Sequence, residues 1–279
     1  MSQQFNKPAL PSSSNEIIVT APVMRFRHNV DVKLQDENFA TETAVALVYN
    51  GISHAVLMCT ASDLEDLAVG FSLSEGIIDH SRDIHDIVQV GSDKGIELHI
   101  EIANRCMERL KKVRRSMAGR TGCGICGSES LEHVVRPLAS LPKTTFLSWQ
   151  KIDGILQQLD TRQNLNQVTG ATHAAAYISA EGNVITIRED IGRHIALDKL
   201  VGHILRNKLS GGAILVTSRA SFEMVQKAVS AGIEILLAIS AATSMAVELA
   251  QKSNLTLVGF CRPGRADAYT YSERIAEIR

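Results

Sequence analysis

Aromatic side chains are scarce, 4% of the 279 residues, while Ala, Ile, Leu and Val are plentiful, a balance that suits a packed α/β protein. Neither charge is in excess. Against 29 Lys and Arg stand 30 Asp and Glu, a formal net charge of -1, so nothing in the overall balance argues for nucleic acid or a membrane surface. No stretch of about 18 apolar residues is present, which excludes an ordinary transmembrane helix. The first residues are polar, rich in Gln, Asn, Pro and Ser, and do not read as a signal peptide. Five cysteines, an odd number scattered apart from one pair, do not make a disulfide framework, and a reducing cytoplasm is the expected compartment. At this length the chain can bury one large core or two smaller ones.

What is present is concentrated between Gly119 and Gly127, written Gly-Arg-Thr-Gly-Cys-Gly-Ile-Cys-Gly. Its glycines lose more entropy on ordering than a helix or strand interior tolerates. The stretch is therefore expected to be an exposed or mobile loop that presents Cys123 and Cys126. Arg120 and the surrounding backbone N–H groups favour the thiolate, which is the nucleophile.

Around that loop, residues 1–21 read as a disordered tail, 22–142 as a smaller α+β domain and 143–279 as an α/β domain. Strand-like residues run from Val23 to Leu34. Ala44–Tyr49 and Ile52–Cys59 flank Asn50-Gly51, the strongest short hairpin signal, because both turn positions need positive φ. Ser62 and Glu65 predict a capping box for a helix over Asp63–Ser74, closed by Gly76. Ile84–Val90 and Ile96–Ile102 predict a second hairpin, with Ile96, Leu98, Ile100 and Ile102 on one face. A helix over Asn104–Met117 carries Cys106, Leu110, Val113 and Met117 as its apolar stripe. Its other side bears Arg105, Arg109, Lys111, Lys112, Arg114 and Arg115. That basic face is either solvated or a docking surface for an acidic partner or phosphates. Ser128–Arg136 resumes as helix, and Pro137–Thr145 reads as the linker.

The second half alternates strands and helices. Ser148 predicts the cap of a helix reaching about Leu159, and His173–Ile178 with Val184–Ile187 forms a hairpin around Ala180–Asn183. There follow a helix over Gly192–Leu205, strand Ala213–Thr217, helix Ser221–Ala231, strand Ile233–Ile239, helix Thr243–Gln251 and strand Leu255–Phe260. Continuous apolar strands between helices imply parallel crossovers in a sheet buried on both faces, hence a three-layer α/β/α sandwich with a mixed sheet. In open α/β sheets ligands bind beyond the carboxyl ends of the strands. Those ends carry Ser218 and Arg219, then Ser240, then Cys261-Arg262-Pro263-Gly264-Arg265. Three arginines, several hydroxyls and two helix N-termini suit a phosphorylated, nucleotide-like ligand. The opposing possibility is that Arg262 and Arg265 pair with surface carboxylates. His173, Arg193 and His194 lie near strand and helix starts. A lone histidine is more often structural than catalytic, so they are not taken as site residues.

Several chemistries compete for the cysteine pair. A closed zinc site wants four ligands, and Cys59, Cys106, Cys261 and His133 add no second pair at ligand spacing. A zinc nucleoside deaminase uses His-x-Glu followed by Pro-Cys-x-x-Cys. Here His173-Ala174-Ala175 lacks the Glu and comes after the cysteines, and Gly122 precedes Cys123. A thioredoxin-like pair opens a helix after a buried strand, whereas this one follows a basic helix and sits among glycines. Sulfur transfer fits better. A thiolate can attack a donor persulfide to give Cys-S-SH, and a second thiol three residues away can attack the inner sulfur and release the outer one. The alternatives are a non-catalytic cofactor-binding chaperone whose cysteines sense redox state, and a degenerate zinc hydrolase.

Five motifs in order carry a resemblance: Arg120-Thr-Gly-Cys123-Gly-Ile-Cys126-Gly127, Thr169-Gly-Ala-Thr-His173-Ala-Ala-Ala176, Asp190-Ile-Gly-Arg193-His194-Ile-Ala-Leu-Asp198-Lys199, Ser218-Arg219-Ala-Ser221 and Phe260-Cys-Arg-Pro-Gly-Arg265. From about Ala44 to about Tyr269 the chain resembles the FdhD family of sulfur carriers required for formate dehydrogenase activity. The resemblance implies a sulfurtransferase that takes sulfur from an IscS-type cysteine desulfurase and passes it to the molybdenum cofactor in its bis(molybdopterin guanine dinucleotide) form. It also implies a cytidine-deaminase-like large domain without the deaminase zinc, a homodimer, and formate dehydrogenase as the final recipient. By motif, Cys123 would bear the persulfide with Cys126 as its partner. Phe260, Cys261, Arg262, Pro263, Gly264 and Arg265 would bind the guanine-dinucleotide cofactor, for which GDP is a mimic. Ser218 and Arg219, from the strand-end reading, complete the expected pocket.

Overall fold

The structure, a computed structural model, describes residues 16–28, 30–117 and 138–275, and at 30–31 and 112–117 the backbone alone. The cysteine loop 119–127 and the helix expected over Ser128–Arg136 lie outside the described residues. No helix among the described residues is long and apolar enough to cross a membrane.

The chain enters as an antiparallel ribbon, β1 (Ile18–Arg27) on β2 (Val30–Ala40), in register from Ile18↔Ala40. The expectation of a tail reaching residue 21 is thus corrected. Ile18–Ala21 already pair in β1, with Val19 and Ala21 buried on its inner side. The alternation of Val19, Ala21 and Val23 with Thr20 and Pro22 is a strand pattern obscured by its proline, which a two-stranded ribbon accepts because each strand has a free edge.

A second sheet has the order β4-β3-β6-β5, built from β3 (Thr43–Tyr49), β4 (Ile52–Cys59), β5 (Ile84–Ser92) and β6 (Gly95–Ile102). Asn50 and Gly51 turn β3 into β4 with φ of 46° and 80°, as a type I′ turn requires. Ile96, Leu98, Ile100 and Ile102 all point inward. They face α1 (Leu64–Ser74), a helix buried nearly all round. Gly76 closes α1 at φ 70°, its N–H bonded to Leu73 O. The expected Ser62–Glu65 capping box does not form. Asp63 is the N-cap, left-handed at φ 51° and without a side-chain cap bond, while Glu65 is drawn to Arg206. The next helix, α2, spans Asn104–Met117 and buries Cys106 and Leu110. Of its basic face, Arg105 pairs with Asp83, Arg109 with Asp79 and Lys111 with Glu108, which favours a solvated face for those three.

The third sheet has the order β12-β11-β10-β9-β7-β8. Its strands are β7 (His173–Ile178), β8 (Val184–Asp190), β9 (Ala213–Val216), β10 (Ile235–Ala238), β11 (Thr256–Arg262) and β12 (Arg265–Ala268). Strands β9, β10 and β11 are mutually parallel, and β7, β8 and β12 join antiparallel to their neighbours. One face, with Tyr177, Ile214, Leu236 and Leu257, packs under α5 (Arg193–Arg206), α6 (Phe222–Ser230) and α7 (Ser244–Lys252). The other, with Ala176, Leu215, Leu237 and Val258, packs on α3 (Ile152–Arg162). Helices on both faces of a mixed sheet give the expected layering. Two elements escaped the sequence: the short helix α4 (Asn164–Thr169) and the strand β12. Nor does Ser148 cap through its side chain. A 3₁₀ turn over Trp149–Lys151 leads into α3 instead.

Helices α1 and α5 cross in backbone contact. A Cβ added at Gly70 would lie 1.7 Å from the carbonyl oxygen of Asp198, and one at Gly202 would lie 1.8 Å from that of Asp66. At the amino edge of the third sheet, buried Glu234 accepts from the N–H and hydroxyl of Thr144 (2.7 and 2.5 Å) and of Thr145 (3.1 and 3.2 Å). Arg274, fully buried, stands 3.6 Å away and donates to Thr256 Oγ1 and the Pro142 carbonyl. Burial alone would raise the Glu234 carboxyl, but the four hydrogen bonds hold it below the usual range. A lowered folded pKa gives stability that is complete above the ordinary glutamate value of about 4.3 and lost as pH falls through the folded value. Glu234→Gln is therefore expected to cost on the order of 2 kcal/mol near neutrality and to flatten the fall of melting temperature in acid. An acid profile unchanged by the substitution would assign acid unfolding to other carboxylates.

Candidate functional site

The strand directions gather one edge. Strand β8 runs with β9, β10 and β11, so Asp190, Val216, Ala238 and Arg262 end together, and β7 begins there at His173. Helices α5, α6 and α7 each start at this edge, and N-termini carry partial positive charge. The crossovers leading into α6 and α7 are joined: Ala220 N–H donates to Ala241 O, and Thr243 N–H to Ala220 O. Thr243 caps α7 by accepting from Ala246 N–H at 3.4 Å. Neither α5 nor α6 has a side-chain cap, and the enclosed Oγ of Ser221, at the α6 N-cap, has no partner. Ser218 is buried with its hydroxyl on the Arg219 carbonyl, while Arg219 is exposed.

The hairpin β11–β12 overhangs one end of this edge. Phe260 holds φ at 49°, an uncommon conformation for so large a residue, in a register shift between Gly259 and Arg262. Its N–H donates to Ser240 O at 3.1 Å. The Arg262 and Arg265 guanidiniums lie 5.9 and 4.6 Å from the ring centroid of Phe260. Pro263 and Gly264 make the two-residue turn, Gly264 at φ 73° with its N–H on Asp153 Oδ1. Arg265 also pairs with Asp267 at 2.6 Å, as the opposing reading anticipated for both arginines, whereas Arg262 meets no carboxylate. Cys261 points into the core, so only its backbone faces the hairpin.

The Asp190–Lys199 motif divides between two tasks. Asp190 and Lys199 are fully buried and bonded at 2.7 Å. Thr60 closes the group, donating its N–H and hydroxyl to Asp190 and accepting from Lys199. Asp198 forms a second buried pair, with Lys227 at 2.6 Å. These carboxylates fix α5 against the second sheet and α6. Arg193 and His194 are left at the edge, beside His173. Burial first, then the charges of Arg193 and His194, holds the His173 imidazole below its ordinary pKa, so it is neutral near pH 7. Sequence reasoning passed over these three because only the β8-β7-β9 pairing brings them beside Ser218 and Arg219. A hollow elsewhere, between α1, α5 and β8, is also charged, but Asp66 there takes both Arg188 (2.7 Å) and Arg206 (2.6 Å) and leaves no free guanidinium.

The described cysteines, Cys59, Cys106 and Cys261, are buried and free. Burial pushes the thiols of Cys59 and Cys261 up to about 12, and raises that of Cys106. None is a nucleophile near neutrality. Among the described residues no three His, Cys, Asp or Glu side chains come together to hold a metal ion.

A crystal structure of a candidate formate dehydrogenase accessory protein from Desulfotalea psychrophila is similar in fold, with a TM-score of 0.72 and 24% identity over 93% of this chain and all of that one. The model of the FdhD/NarQ family matches residues 40–276. Since that match spans most of the sequence and takes in every motif named above, the chain belongs to the FdhD/NarQ family.

Proposed function

We propose that the protein is a cytoplasmic sulfurtransferase that serves formate dehydrogenase. Cys123 takes sulfur from an IscS-type cysteine desulfurase: its thiolate attacks the outer sulfur of the donor persulfide, and the donor leaves as a thiolate. The acceptor is the molybdenum cofactor, as bis(molybdopterin guanine dinucleotide), held as substrate at the carboxyl edge by the Phe260–Arg265 hairpin with Ser218 and Arg219. Cys126 completes the transfer. Its thiolate attacks the inner sulfur of the Cys123 persulfide, which gives a Cys123–Cys126 disulfide and hydrosulfide, and a cellular thiol then reduces the disulfide. The α/β half is read as a cytidine-deaminase-like sandwich that has lost the zinc chemistry, and the working unit as a homodimer.

The observation that carries this reading is an edge rich in unpaired guanidinium and uncapped helix ends in a chain of this family. Its other cysteines are buried thiols, which leaves Cys123 and Cys126 for the chemistry. The test is incubation of the protein with desulfurase and cysteine, followed by mass analysis of the peptide containing Cys123. A gain of about 32 Da, one sulfur atom, is expected. Cys123→Ala should abolish it with GDP affinity unchanged. Full labelling of that variant sinks the assignment. No labelling of the parent protein would favour the non-catalytic chaperone.

A further inference from the structure

Two apolar surfaces of this chain lie open. The first is the far half of the β1–β2 ribbon. Its base is packed, with Val19 and Ala21 buried and β2 against α4. Beyond Pro22 nothing covers it. Met24 and Leu34 stand directly opposite each other, and Phe26, 75% exposed, follows two residues on. Val32 is exposed beside them. A two-stranded ribbon is marginal in water unless one face is packed, yet this one carries its largest apolar side chains where it has least support. The second surface is the outer face of the second sheet, turned away from α1. Register sets Val56, Ala46, Glu97 and Val90 in one row across the four strands, with Met58 and Val88 on the same face. Val56 is 63% exposed, and Met58, Val88 and Val90 are exposed as well.

Charge matches the two surfaces as apolar area does. Asp86 and Glu101 lie directly opposite each other on the outer face, a pairing of like charges that costs stability in a sheet. Both are exposed, and neither has an ion pair among the described residues. On the ribbon Arg27 and Lys33 are exposed and likewise unpaired, with side chains long enough to reach past a strand edge.

We propose that the ribbon is an exchange arm. In a two-fold dimer the Met24, Phe26 and Leu34 face of each copy packs on the outer face of the other copy's second sheet, with Arg27 and Lys33 over Asp86 and Glu101. Each chain offers both halves of the contact, so the arrangement closes at two copies. The ten residues of β1 extend about 33 Å, which gives the arm its reach. In its own chain the ribbon leaves that face bare, its base being held against α4. A lipid surface would take the apolar and basic residues of the ribbon but leave the sheet face uncovered and its acids unmatched. The arm deepens the homodimer reading and rests on it, whereas the choice of surfaces rests on register, exposure and charge.

The experiment is sedimentation equilibrium of the full chain. Phe26→Ser with Leu34→Ser, and separately Val56→Lys with Val90→Lys, should each raise the dimer dissociation constant at least a hundredfold. All four positions are exposed, and circular dichroism checks that both double variants fold. Mixed together, the two variants should dimerise at least tenfold more tightly than either alone, because the intact ribbon of one then meets the intact sheet face of the other. A photo-cross-linking residue in place of Phe26 should join chains of different isotope label at β4 or β5. A parent dimer that both variants leave intact, or a mixture without recovery, overturns the arm and leaves the homodimer reading standing. Cross-links confined to single chains overturn the exchange as well. A monomeric parent overturns both readings, and binding of that monomer to phosphatidylglycerol vesicles would assign the ribbon to a membrane instead.

Discussion

Gly202→Ala is expected to abolish the folded protein, and Gly70→Ala to do the same. At these positions a methyl group meets a carbonyl oxygen of the facing helix at 1.8 and 1.7 Å, and the obstacle is backbone, which no rotamer change can move. Relief requires α1 and α5 to separate by more than an ångström. The facing pair lies inside the core shared by the second and third sheets, so separation opens packing on both sides. The cost should exceed 4 kcal/mol, beyond ordinary overpacking. Gly154→Ala is the control: it lies in α3, a Cβ there has nothing within 4 Å, and it should stabilise by about 0.5 to 1 kcal/mol through helix propensity. Soluble yield and thermal unfolding of the three variants decide the matter. A Gly202→Ala protein that melts within a few degrees of its parent would mean that the helices do not touch in this way.

Asp190→Ala should be nearly as severe. It strips Lys199, 0% exposed, of its counter-charge, leaving it with the carbonyl and hydroxyl oxygens of Thr60 alone. It also removes the acceptor for Thr60 N–H and for Gly192 N–H at the start of α5. Breaking one half of a buried pair costs about 3 to 5 kcal/mol. Lys199→Met alone should cost a comparable amount, because Asp190 then stays buried and charged. The double variant should cost much less than the sum, with a coupling above 1 kcal/mol in urea unfolding. Strict additivity would refute a direct pair.

Much of this fold was legible in short range. Asn50-Gly51 specified its turn by two positive φ values, and the alternation from Ile96 to Ile102 specified an inner face. Reading strand ends in order brought Arg219 and Arg262 to one edge. The misreadings share a cause, which is dependence on a distant partner. Ser62 and Glu65 have capping-box spacing, but Glu65 is claimed by Arg206, 141 residues later in the chain. Gly70 and Gly202 look like weak helix residues until their helices are laid together. The Pro263-Gly264 step marks a tight turn between Arg262 and Arg265, but β12 beyond it shows only in its pairing with β11. Asp190, Asp198 and Lys199 carry the same motif signal as Arg193 and His194. Only burial separates the residues that hold α5 from those that face the edge.

Phe260 has a consequence for how this chain can change. A bulky side chain kept in a left-handed conformation costs roughly 1 to 3 kcal/mol that glycine at the same place would not incur. If resistance to unfolding were the sole filter on this gene, random change would have a downhill route to losing the ring. On the proposed function, the aromatic surface beneath two cations would serve the ligand that comes to rest against it rather than the fold.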